Sequence, residues 1–68
     1  MKNIILTILF GFLVILSNGE RLILKEANAV VLSEGKACFL QIKGEEIFPL
    51  IILPLDAVKI IIEYKEQT

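Results

Sequence analysis

The chain has 68 residues, 56% of them hydrophobic and 22% charged, with a formal net charge of −1. That length holds at most one domain, and loss of an export segment would leave only about 49 residues, close to the roughly 40 below which chains usually need disulfides, metals or a partner. Histidine is absent and cysteine occurs once, so imidazole chemistry and an internal disulfide are both excluded.

Residues 4–16 are an apolar run broken only by Thr7 and Gly11, with Lys2 ahead of it. This pattern predicts a hydrophobic signal helix. A membrane span needs about 20 apolar residues to cross roughly 30 Å of hydrocarbon, and the run is shorter than that. Ser17 and Gly19 place small residues at the −3 and −1 positions of a cleavage site, so the expected cut lies between Gly19 and Glu20. Two other readings stay open: an uncleaved anchor, and a buried strand or helix of the domain itself. The positive-inside rule keeps Lys2 in the cytoplasm and sends the remainder outward. The expected organisation is a signal peptide or membrane anchor over 1–19 and a small exported β-rich domain over 20–68. Its compartment is the periplasm or the exterior, or the inner membrane with a cytoplasmic N-terminus if the anchor is kept.

From Arg21 onward, short runs of β-branched residues alternate with turn signals. Residues 21–26 are a weak strand candidate and 28–33 a better one. Ser33-Glu34-Gly35-Lys36 reads as a tight hairpin turn, because glycine supplies positive φ without steric cost. Residues 36–43 are the return strand, with Ala37, Phe39 and Gln41 on one face and Cys38, Leu40 and Ile42 on the other. Gly44-Glu45-Glu46 is the next turn. Residues 47–53 follow as an apolar strand in which Pro49 cannot donate to a ladder, which assigns it to an edge or a bulge. Residues 58–64 alternate, with Val58, Ile60, Ile62 and Tyr64 sharing one face. A helix over 56–66, capped by Asp56, is the alternative, and three consecutive isoleucines favour the strand. The expected fold is all-β, with four or five short antiparallel strands forming a meander or partial sandwich.

Chemistry is sparse in this sequence. The part from Glu20 onward carries six basic and eight acidic residues, about −2, and lacks the basic stripe of a nucleic-acid binder. No nucleophile–base pair, cofactor motif or metal-ligand spacing is present, so the sequence predicts neither an enzyme nor a cofactor. Cys38 reads as a buried thiol acting as a small hydrophobe, the alternative being an intermolecular disulfide in an oxidising compartment. Glu45 and Glu46 read as a solvated turn. The edge strand is the one candidate interface: Ile47, Phe48, Leu50, Ile51, Ile52 and Leu53 invite pairing with another protein or a second copy of this chain.

Gly19-Glu20-Arg21-Leu22, Ala27-Asn28-Ala29-Val30-Val31-Leu32 and Gly35-Lys36-Ala37-Cys38-Phe39 together resemble the start of small enterobacterial periplasmic lipoproteins described as type VI secretion immunity proteins. The resemblance covers about twenty residues. The family's lipidated cysteine has no counterpart at Ser17 to Gly19, and the chain is shorter than is usual there. The resemblance implies a periplasmic β-domain that binds a protein toxin, with no catalytic residues to carry over. The expected function is thus a small exported protein-binding β-module, an inhibitor or immunity factor. The alternatives are a single-pass membrane protein that modifies a membrane complex, and a truncated product without independent function.

Overall fold

The computed structural model describes residues 4–7 and 11–65. They build an all-β sandwich from β1 (Ile4–Thr7), β2 (Gly11–Leu16), β3 (Arg21–Leu24), β4 (Ala29–Ser33), β5 (Lys36–Lys43), β6 (Glu46–Pro54) and β7 (Val58–Tyr64), with a 3₁₀ turn at Leu55–Ala57. One sheet has the order β1-β4-β5-β6 and the other β3-β2-β7. Every pairing is antiparallel.

The middle of the chain follows local turn chemistry. Ser33 pairs with Lys36 across the two-residue loop Glu34-Gly35, where φ is 52° and 76°. Positive φ at both positions is the mark of a type I′ turn, whose twist matches that of the flanking strands. At the next turn Lys43 pairs with Glu46 around Gly44, whose φ is 60°. The strand expected over 36–43 is β5, and the expected edge strand is β6, the last in its sheet. Phe39 pairs with Ile51 and Leu40 with Pro49, so Leu50 is the extra residue of a bulge and Pro49 sits where a missing N–H is tolerated.

The core lies between the sheets. Phe12 and Val14 of β2 meet Val30 of β4 and Ala37 and Phe39 of β5, with Ala27 beside them. The rings of Phe12 and Phe39 pack edge to face, with centroids 5.4 Å apart and planes at 69°. Both are fully buried, and burial of a side chain this size contributes roughly 1.5–3 kcal/mol. Partly buried Leu22, Leu24, Ile51, Leu53, Val58 and Ile61 complete the layer.

Three expectations need correction. The helix expected over residues 4–16 is not formed by the described residues, since Ile4–Thr7 and Gly11–Leu16 are strands. β-Branched and aromatic side chains suit this conformation, and β2 gains partners on both sides, β3 and β7. Residues 8–10 lie outside the described part. Second, the face of β7 turned to the core carries Val58 and Ile61, while Ile60 and Ile62 point outward. The cause is a bulge: Ile15 pairs with Ile60 and Leu16 with Val58, leaving Lys59 unpaired and breaking the two-residue alternation. Third, Cys38 lies on the face of β5 away from the core and is only half-buried, beside its cross-strand neighbours Val31 and Ile52.

Candidate functional site

The outer edge of the four-stranded sheet carries four of the nine exposed large apolar side chains among the described residues. β6 is hydrogen-bonded to β5 on one side and flanked by no other described strand, so half its backbone groups are open to a further strand. No charged residue occurs from position 47 to position 55. Ile47 and Ile52 are 60% and 59% exposed, and Phe48 and Leu50 are exposed beside them. Soluble monomers rarely leave apolar surface clustered in this way unless it meets a partner. Of the six edge residues that the sequence singles out, these four face solvent. Ile51 and Leu53 turn inward and pack against the core.

The bulge at Pro49 gives this edge a second feature. Leu50, freed from the β5 ladder, lines an open groove of about 450 Å³ with Ile23, Leu24, Lys25 and Glu26. The groove therefore runs between β6 of one sheet and the end of β3 of the other. Its walls are apolar, while Lys25 and Glu26 put both charges at its rim. In β-strand addition, main-chain hydrogen bonds supply affinity and pockets for alternate side chains supply specificity. An unpaired edge with an adjoining apolar groove has both.

One polar residue acts structurally nearby. Asn28 closes the space beside β5: its Nδ2 donates to the Ile42 carbonyl at 2.8 Å and its Oδ1 accepts from the Ile42 N–H at 2.7 Å. Its own N–H donates to the Leu40 carbonyl at 2.9 Å. The side chain thus extends the bonding of β5 beyond the start of β4. Sequence reasoning missed this role; an asparagine at the start of an apolar strand was the available signal.

Ser17 to Glu20, expected to frame a cleavage site, form the β2–β3 turn. Gly19 donates to the Leu16 carbonyl and has φ of 91°, which completes a three-residue hairpin loop ending in a left-handed glycine. Asn18 Oδ1 accepts from the Glu20 N–H at 2.9 Å. Ser17 donates from its N–H to the Ala57 carbonyl and from Oγ to the Asp56 carbonyl, tying the loop to the 3₁₀ turn before β7. The small and polar residues that suit a peptidase also suit a tight turn.

Among the described residues no group of three or more Asp, Glu, Cys or His is placed to hold a metal, and no helix is long and apolar enough to cross a membrane. No protein-family model, curated protein or solved structure matches the chain.

Proposed function

We propose that this protein is a small binding module that takes a strand of another protein onto β6 and seats one of that strand's side chains in the Leu50 groove. The observation that carries this reading is the conjunction at one edge of open main-chain groups, four exposed apolar side chains and a groove. An inhibitor or immunity factor would work in this way, blocking its target by occupancy and needing no catalytic group of its own.

Export bears on which form of the chain does the binding. A copy cut after Gly19 loses β1 and β2, and with them Phe12 and Val14 of the core. Cleavage and this sandwich exclude each other, so we propose that the binding form keeps its first nineteen residues. The intact mass of the protein purified from its cell tests that part: a retained β2 is expected, and a folded product starting at Glu20 would overturn it.

The binding reading is tested by affinity capture with the full chain beside its Ile47→Lys and Ile52→Lys variants. Both residues are exposed, so the variants keep the fold. A partner held by the native chain and lost from both variants is the expected result. A partner retained equally by all three, or none captured by any, contradicts it.

A further inference from the structure

We infer that Pro49 and Pro54 guard β6 against open-ended strand pairing, so that this edge takes one short segment and refuses β6 of a second copy. The direction in which the main chain of β6 points follows from its neighbour. Asn28 bonds both main-chain groups of Ile42, and its own N–H donates to the Leu40 carbonyl, so Leu40 and Ile42 turn those groups toward β4. Main-chain groups alternate sides along a strand, so Phe39, Gln41 and Lys43 bond to β6. Their partners Ile51, Phe48 and Glu46 are used inward, and the Leu55 N–H likewise reaches back to the Gly35 carbonyl at 2.8 Å. The residues whose groups face outward are Ile47, Pro49, Ile52 and Pro54, the partners of Ile42, Leu40, Cys38 and Lys36. Two of those four have no N–H. Only Ile47 and Ile52 can make the paired bonds of an antiparallel ladder, and a strand running the length of β6 leaves a carbonyl unbonded at each proline.

The other sheet edges show why β6 has such a device. β1 and β3 are four residues long, and β7 carries the exposed Lys59 and Glu63. Shortness and charge are two ways in which an edge resists foreign strands. β6 has neither: it spans nine residues, and no charge occurs from position 47 to position 55. Leu50-Ile51-Ile52-Leu53 is an apolar, β-prone run of the kind that stacks strand on strand, and a proline stands at either end of it. The inference concerns the chain's own groups and does not depend on a partner being found. Where the binding proposed above holds, it limits the captured strand to the four residues between the prolines.

The test is sedimentation of the full chain over a wide concentration range, with reductant present so that Cys38 cannot cross-link copies, beside Pro49→Thr, Pro54→Thr and the double variant. Both prolines are exposed, and threonine restores an N–H without adding a large apolar side chain. The double variant is expected to associate at concentrations about tenfold or more below those the native chain needs, with each single variant between the two. Adding Ile52→Lys to the double variant puts a charge on the same edge and is expected to return it to the native behaviour. Association caused by unfolding would not be reversed by that lysine. A double variant no more prone to associate than the native chain overturns the proposal. So does association that Ile52→Lys leaves unchanged.

Discussion

β5 and β2 face each other across the core through Phe39 and Phe12, but they are held in place by different parts of the chain. β5 is bound on both sides by its sequence neighbours, β4 and β6, through two-residue turns. β2 is bound to β3 by a short loop and to β7 from the far end of the chain, with Gly11 opposite Tyr64. Loop-closure entropy makes the first arrangement fast and local, whereas the second waits for the last strand. The β4–β5–β6 meander is therefore a unit that local chemistry can build. β2 is the element that closes the sandwich over it, and until β7 is present its apolar residues have no complete site.

Although β2 and β5 are assembled so differently, their core contributions should match. Phe12→Ala and Phe39→Ala are each expected to cost about 3–5 kcal/mol, enough to unfold a domain of this size, as read by circular dichroism in urea. A large loss at Phe39 with none at Phe12 would detach β2 from the core. Gly11→Ala addresses β2 alone. A Cβ there would lie 2.4 Å from the Leu24 carbonyl oxygen and 2.7 Å from the Lys25 Cα, both backbone atoms, so a loss of about 1–3 kcal/mol is expected. In a hydrophobic helix the same change would help, because alanine is the better helix former by about 1 kcal/mol.

Two smaller effects sharpen the β5 side. Asn28→Ala removes the paired bonds to Ile42 and should cost about 1–2 kcal/mol in thermal or urea unfolding. Glu34→Asn should stabilise by about 0.5–1 kcal/mol, since Glu34 holds a φ of 52° that asparagine adopts more readily ahead of Gly35. If Glu34→Asn lowers stability, the turn is not the type I′ hairpin described.

These differences also explain which parts of the fold were legible in the sequence. The β4–β5 turn was readable because Gly35 meets a backbone demand that few residues meet. Pro49 announced the edge and the bulge because it lacks a donor. β2 was obscured because residues 4–16 carry one signal, apolarity, that suits an export helix and a buried strand equally. On β7 the strand was evident from its isoleucines, but its inward face was not, since the bulge at Lys59 depends on pairing with a strand over forty residues away. Of the β6 edge, the apolar residues were visible and the groove was not. The groove forms only when Leu50 and the end of β3 are brought together from opposite sheets.

Whether β2 is part of the folded protein is read most directly by native-state hydrogen exchange on the full chain, resolved by residue. β2 is the middle strand of its sheet, so the amides of Phe12 to Ile15 should exchange only through global unfolding and as slowly as those of Val30 and Phe39. Amides at 12–15 that exchange freely while 30 and 39 stay protected would show a fold that does not include this strand.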